Sequence, residues 1–213
     1  REIKTKIKSV QNTRKVTRAL GMVSTSKIRR AQEQMRTMRP YVRGMLGLVG
    51  HIARANSEYK HPFMQEREPR RIAYLVVSTD RGLCGGLNNN LFRRILADMR
   101  EWQAKGVEVG VYAIGSKASQ FFRRLNGVTF AGQAARIGDR PTLAELVGIV
   151  NLALDAYREG RIDRLYVATN VFVNTMTQQP TIRQLIPLVP GEDVESRHDW
   201  DYHYEPSAPE ILD

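Results

Sequence analysis

The stretch IAYLVVSTDRGLCGGLNNN, residues 72–90, joins an apolar run to a glycine-rich loop and then to the start of a helical pattern. Residues 72–78 predict a buried strand, and Asn88 or Asn89 is suited to cap the helix that follows. A strand, a glycine-rich loop and a helix in this order are typical of phosphate-binding sites. The stretch therefore indicates an α/β fold, and it raises the question of whether the loop binds a nucleotide.

The spacing of the glycines argues against nucleotide binding. Gly82, Gly85 and Gly86 match neither the G-x-G-x-x-G fingerprint of dinucleotide-binding proteins nor the G-x-x-x-x-G-K-[ST] loop of nucleoside triphosphatases. No histidine lies close to Cys84 in the sequence to activate it as a nucleophile. A structural or docking turn is therefore favoured, with a nucleotide site as the alternative.

Around this loop, apolar runs alternate with helical patterns, and this alternation predicts a mainly parallel sheet covered by helices. The predicted strands are residues 72–78, 107–114, 128–131 and 165–172. The predicted helices are residues 88–104, 116–125 and 142–159. Residues 176–188 contain Pro180 and Pro187, so we expect an edge strand or a hairpin there.

Composition excludes several classes of protein. With Cys84 as its one cysteine, the chain of 213 residues has no internal disulfide, which fits a reducing compartment. No apolar run approaches the roughly 18 residues that a membrane-spanning helix needs, so we do not expect the chain to span a membrane. The four histidines and Cys84 show no metal-ligand spacing, and we expect neither a metal nor another cofactor.

The positive charge is concentrated at the start of the chain. Residues 1–54 hold fourteen Lys and Arg against two acidic residues, a net charge of +12, although the whole chain carries only +11. A basic field confined to one segment implies an acidic partner, which could be nucleic acid, an anionic membrane or an acidic protein surface. A solvated basic face is the simpler alternative.

The same segment predicts one long helix with a coiled-coil repeat. Positions spaced alternately by four and three residues from Ile3 to Ile52 are apolar at eleven of fifteen sites. A helix of this length would extend about 80 Å, well beyond a small domain. Pro40 predicts a kink near residues 36–39. The four exceptions to the repeat are consecutive: Arg14, Thr17, Gly21 and Ser24.

This apolar stripe needs a partner, and residues 72–189 contain no second long heptad pattern. Ser207 and Glu210 have the spacing of a helix capping box close to the last residue of the sequence. We therefore expect that the sequence is part of a longer chain whose C-terminal helix pairs with the stripe. A homodimeric coiled coil is disfavoured because it would place two helices of +12 side by side.

Four motifs resemble the gamma subunit of F-type ATP synthase. They are IKSVQNTRKVTRALGMVSTSKIRRAQ (residues 7–32), RPY (39–41), LVVSTDRGLCGGLN (75–88) and YEP (204–206). Because the motifs are spread along the chain, the resemblance covers nearly all of it. The single cysteine resembles the bacterial members, since chloroplast members carry an inserted cysteine pair.

The resemblance implies an antiparallel coiled coil of N- and C-terminal helices beside a Rossmann-like α/β domain. The sequence patterns divide the chain into a long helix at 1–54, a linker at 55–71, an α/β domain at 72–189 and a last segment at 190–213. The resemblance implies that the first is a shaft helix and the last a foot loop with the start of the C-terminal helix. It also implies a non-catalytic central-stalk rotor that transmits torque between a proton-driven membrane ring and the catalytic hexamer. The expected location is peripheral, at the cytoplasmic face of the bacterial inner membrane.

The interface residues implied by the resemblance fall into three groups. Leu20, Met22 and Val23 resemble the shaft segment inside the alpha and beta subunits. Lys27, Arg29, Arg30 and Arg81 would face acidic loops of beta. Tyr202, Tyr204 and Glu205 would form the foot on the membrane c-ring, and the epsilon subunit would bind the α/β domain. Gly21 departs from the family, which commonly has a bulky or charged helix former at this position.

Two other classes of function compete with this reading. A nucleic-acid-binding coiled coil would use the basic helix, but its basic zone usually forms a dense block before the zipper. Here the basic residues are spread along the heptads, so we expect no nucleic-acid partner. A Rossmann-type enzyme would use the glycine-rich loop, and specific binding of ATP or NAD to the isolated chain would support it.

Overall fold

The structure is a computed structural model that describes residues 2–55, 62–138 and 141–188. The chain divides into two compact units, one containing residues 1–52 and the other containing most of the remaining chain.

The described part of the first unit lies in one long helix, α1 (Glu2–Ala55), of 54 residues. The helix predicted from the heptad pattern is thus confirmed, and it continues without interruption through Pro40. A proline in a helix interior removes one backbone hydrogen bond, but the turns on either side remain helical.

The second unit is a five-stranded sheet with three helices. In chain order the elements are β1 (Arg71–Val77), α2 (Leu87–Ala104), β2 (Glu108–Ile114), α3 (Ser116–Phe122), β3 (Thr129–Ala134), α4 (Leu143–Arg158), β4 (Arg164–Phe172) and β5 (Gln178–Ile186). The strand order is β3-β2-β1-β4-β5. The first four strands are parallel, and β5 runs antiparallel to β4 at the edge.

These elements confirm the predicted α/β fold and adjust some boundaries. Strand β3 continues to Ala134, beyond the predicted segment 128–131, and α3 ends at Phe122 instead of residue 125. The segment that contains Pro180 is the antiparallel edge strand β5, as the two prolines indicated. Pro180 is tolerated there because an edge strand has one side without sheet partners.

Both faces of the sheet are covered, which explains why β1 is apolar along its length. Ile72, Tyr74 and Val76 pack in one core with residues of α2 and α3. Ala73 and Leu75 pack in a second core with residues of α4 on the opposite face. A strand buried on both faces has no solvent side, so it shows an unbroken apolar run instead of alternation.

Residues 62–70, which belong to the segment predicted as a linker, lie against the α/β unit. Phe63 packs on the core formed with α4. The hydroxyl of Tyr157 donates a hydrogen bond to the carbonyl of Gln65 (2.7 Å), and the Arg67 guanidinium donates one to the carbonyl of Tyr157 (2.9 Å). These contacts attach residues 62–70 to α4.

Across the described ranges, no helix is both long enough and apolar enough to cross a membrane. The same ranges contain no group of three or more His, Cys, Asp or Glu side chains placed to bind a metal ion.

Candidate functional site

The glycine-rich loop lies at the carboxyl end of β1, where Asp80 connects three loops. Its carboxylate accepts hydrogen bonds from the backbone N–H and hydroxyl of Ser116 (2.8 and 2.7 Å), at the start of α3. It also accepts the N–H groups of Arg136 (3.0 Å) and Gly138 (2.9 Å), which follow β3. Because β1, β2 and β3 are parallel, the loops that follow them meet at one edge of the sheet. Asp80 therefore anchors this edge.

These hydrogen bonds keep the anchor ionised. Partial burial raises the pKa of Asp80, but hydrogen bonds from the Ser116 hydroxyl and from three backbone N–H groups outweigh it and lower this pKa to about 2. Hydrogen bonds to a charged carboxylate favour the charged form. A carboxylate held by four donors of the protein itself is suited to fixing loop geometry rather than to accepting a proton as a catalytic base.

The prediction that Asn88 or Asn89 caps the following helix is wrong. Helix α2 begins at Leu87, and its N-cap is Gly86, which makes no side-chain capping bond. The Asn88 amide instead donates to the Thr79 hydroxyl (2.7 Å) and accepts the Thr79 N–H (3.3 Å). Because the helix starts at Leu87, Asn88 lies within its first turn, and its side chain joins the loop to the helix.

The glycine-rich loop also contains a tight turn. Leu83 and Gly85 both have left-handed backbones, with φ of 59° and 60°, and the Leu83 side chain is fully exposed. Glycine adopts this conformation without the steric cost that a side chain brings. The polar side chains of Thr79, Asp80 and Asn88 are engaged within this edge of the sheet, a geometry that favours a self-contained turn over a phosphate cradle.

Arg81 is exposed on this turn, where the Thr79 hydroxyl donates a hydrogen bond to the Arg81 carbonyl (2.6 Å). The loop therefore presents the Arg81 guanidinium at the surface of the α/β unit. This is the one predicted interface residue that the structure describes in the second unit.

The other described candidates lie together on α1. Leu20, Met22 and Val23 are 62%, 66% and 55% exposed. Lys27, Arg29 and Arg30 are also exposed, within the next three turns of the helix. The remaining candidates, Tyr202, Tyr204 and Glu205, lie outside the described residues.

One basic surface was missed by the sequence analysis. A cleft of about 870 Å³ is lined by Arg123, Arg124 and Arg136, together with Gln133 and Glu145. The adjacent pair Arg123 and Arg124 was a visible signal in the sequence, but it gave no indication that Arg136 would join it.

Comparison with known proteins matches the whole chain to one family. The sequence profile described as ATP synthase (ATP-synt) matches residues 1–213. The chain is 56% identical over 214 residues to the ATP synthase gamma chains of Xanthomonas campestris pv. campestris and Xylella fastidiosa, covering 100% of this chain and 74% of each relative.

A solved structure shares the fold. It is the central stalk and c-ring of the Tetrahymena thermophila mitochondrial ATP synthase, with a TM-score of 0.60 at 18% identity. The match covers 92% of this chain and 83% of the other. The resemblance read from the four sequence motifs is confirmed by the profile and the curated relatives: the chain belongs to the gamma-chain family of ATP synthase.

Proposed function

We propose that this chain is the rotor central-stalk subunit of a bacterial F-type ATP synthase. It transmits torque between the proton-driven membrane ring and the catalytic alpha/beta hexamer, and it performs no catalysis itself. The main support is α1, a 54-residue helix whose described large apolar side chains are mostly exposed between Ile3 and Met45. Such a helix gains most of its stability from packing, so it needs partners along its length.

The apolar stripe of α1 fits a second helix in an antiparallel coiled coil. Ile3, Ile7 and Val10 lie at one end of the stripe, and Met38 and Val42 lie further along it. The spacing of four and three residues keeps these side chains on one seam. The seam is interrupted between residues 14 and 24, and this is where we place the contact with the hexamer.

The surface around Leu20, Met22 and Val23 is suited to rotating against the surrounding alpha and beta subunits. The hydroxyls of Thr17 and Thr25 donate hydrogen bonds to the carbonyls of Thr13 and Gly21, both at 2.9 Å, within the helix. Those hydroxyl protons are satisfied by the helix itself, so they are not committed to directional bonds with a surrounding subunit. A surface of this kind resists rotation weakly.

The basic residues supply contacts that can be made and broken during rotation. Lys27, Arg29 and Arg30 on α1, and Arg81 on the glycine-rich loop, would face acidic loops of the beta subunits. An ion pair between exposed side chains contributes roughly 0–1 kcal/mol. Contacts of this strength can guide the shaft without trapping it at one angle.

The remaining partners complete the stalk. Tyr202, Tyr204 and Glu205 would contact the c-ring, and the epsilon subunit would bind the α/β unit. The chain would be a peripheral protein at the cytoplasmic face of the bacterial inner membrane. The proposal includes no cofactor and no nucleic acid.

Reversal of charge on α1 tests the proposal. The variant Arg29→Glu/Arg30→Glu is expected to lower proton-driven ATP synthesis several-fold in membrane vesicles that contain the assembled complex. The variant Arg29→Lys/Arg30→Lys keeps both charges and is expected to retain most activity. If charge reversal leaves the synthesis rate per assembled complex unchanged, the role given to these arginines is wrong.

A further inference from the structure

Arg136 has a backbone conformation that its side chain disfavours. It follows β3 with a φ of 64°, in the left-handed region, which residues other than glycine rarely adopt because the Cβ atom crowds the backbone there. The Asp80 carboxylate holds it there by accepting the N–H groups of Arg136 (3.0 Å) and Gly138 (2.9 Å). Glycine would adopt this backbone conformation without strain. The strain therefore arises because an arginine side chain occupies this position.

Arg136 faces a cleft that contains two more arginines. The cleft of about 870 Å³ lies at the β3 edge of the sheet, and Arg123 and Arg124 line it from the end of α3. Among the described lining residues the one acid is Glu145. Its Oε2 atom already accepts the backbone N–H (2.7 Å) and the hydroxyl (2.8 Å) of Thr142 in the capping box of α4. The described lining is therefore basic.

One of the three arginines is held in place. The Arg123 guanidinium carbon lies 5.3 Å from the centre of the Phe130 ring, and its nitrogen donates to Oε1 of Gln133 at 2.7 Å. Stacking and hydrogen bonding reduce the side-chain freedom that binding would otherwise have to restrict. The cleft thus combines an oriented guanidinium with a backbone fixed by Asp80.

We propose that Arg123, Arg124 and Arg136 form a binding surface for an acidic segment of another protein in the assembled complex. Guanidinium groups bind carboxylates through paired hydrogen bonds, which gives the chemical basis for recognition. The three arginines are exposed, so each would hold a small anion weakly. A protein segment can add contacts to apolar parts of the cleft, such as Ile137 and Ile149. This proposal rests on the proposed function because it requires the chain to be assembled with other subunits.

Asp80 acts in this surface as a positioning residue. Its carboxylate accepts the N–H groups of Arg136 and Gly138, and Asp80 is not among the described residues that line the cleft. Replacing Arg136 by glycine separates the two roles, because it removes the cation and relieves the strain at once. We expect Arg136→Gly to keep or raise the melting temperature of the chain while it weakens the contact with the partner.

Photo-crosslinking in the assembled complex tests the proposal. Benzoylphenylalanine at position 135, an exposed residue of the cleft, is expected to crosslink to a peptide of another subunit that is rich in Asp or Glu. The crosslinking yield should fall several-fold in Arg124→Glu/Arg136→Glu. It should stay unchanged in Arg100→Glu, which reverses an exposed charge on α2.

Three outcomes would overturn the proposal. They are the absence of any crosslink to another subunit, a crosslinked peptide without acidic residues, and a thermal shift caused by inorganic pyrophosphate in the free chain but not in the double variant. The last would indicate a small-anion site. A second crosslinker at position 22 separates this inference from the proposed function. If position 22 crosslinks to the hexamer while position 135 does not, only the inference about the cleft fails.

Discussion

The two units of this chain use apolar residues in opposite ways. In the α/β unit, Tyr74 and Leu91 are fully buried by other residues of the same chain. On α1, Ile3 is 74% exposed and Val10 is 68% exposed. The apolar groups of the first kind stabilise the fold, whereas those of the second kind form a surface that needs a partner.

The stability of the α/β unit and that of α1 should therefore respond differently to substitution of apolar side chains. The α/β unit should be sensitive to substitutions in its core, because its packing is complete within the chain. Helix α1 should be insensitive to similar substitutions in the isolated chain. It should become sensitive only when other subunits cover it.

The largest expected difference in the free energy of unfolding is between shortening a side chain in the core and shortening one on α1. Ile95→Ala removes a fully buried side chain and should lower the free energy of unfolding by about 2–5 kcal/mol. Leu20→Ala removes a side chain that is 62% exposed and should change it by less than about 0.5 kcal/mol. Urea denaturation of the isolated chain measures both changes, and equal effects would show that Leu20 stabilises the isolated chain as much as a core residue does.

Substitution of Asp80 should give the next largest change in the free energy of unfolding, and this change should depend on pH. Asp80→Asn should lower the free energy of unfolding by about 1–3 kcal/mol at pH 7, because hydrogen bonds to a charged acceptor are replaced by weaker ones. The pKa of Asp80 falls from an ordinary 3.8 to about 2 in the folded chain. Its contribution is therefore present above about pH 4 and is lost as the pH falls towards 2.

Denaturation of the wild-type chain and the Asn variant at several pH values measures this contribution. The difference between their free energies of unfolding should be largest near pH 7 and should shrink below pH 4. A difference that stays constant down to pH 2 would show that the charge of Asp80 does not stabilise the loop.

The smallest effect concerns the helix itself. A Cβ atom at Gly21 would meet no other atom within 4 Å, so Gly21→Ala changes only helix propensity. We expect α1 to gain about 1 kcal/mol of local stability, seen as slower amide hydrogen exchange over residues 18–25 of the isolated chain. The reverse change nearby, Ala19→Gly, should speed exchange by a similar factor. Faster exchange in Gly21→Ala would show that Gly21 has a packing role.

The elements of this fold could be predicted from the sequence because each has a clear local pattern. The apolar run of β1 and the heptads of α1 indicate a buried strand and a long helix without any tertiary information. The role of Asn88 could not be predicted in this way. Whether it caps the helix or bonds to Thr79 depends on a two-residue shift in where α2 begins.

The sites were harder to predict than the fold because they depend on distant residues. Asp80 is anchored by Ser116, Arg136 and Gly138, which lie between 36 and 58 residues away in the sequence. The basic cleft likewise exists only in the folded chain, where Arg136 after β3 lines the same cleft as the arginines at the end of α3. The candidates on α1 came from family resemblance, since a heptad pattern predicts that a partner exists but not which protein it is.

We propose above that α1 turns inside the catalytic hexamer, and a reversible crosslink tests this most directly. We would replace Met22 by Cys in a Cys84→Ser background and link it to the hexamer of the assembled complex with a reducible crosslinker. We expect ATP hydrolysis and proton-driven synthesis both to stop in the linked complex and to return after reduction. A fully linked complex that makes ATP at the unlinked rate would contradict the claim.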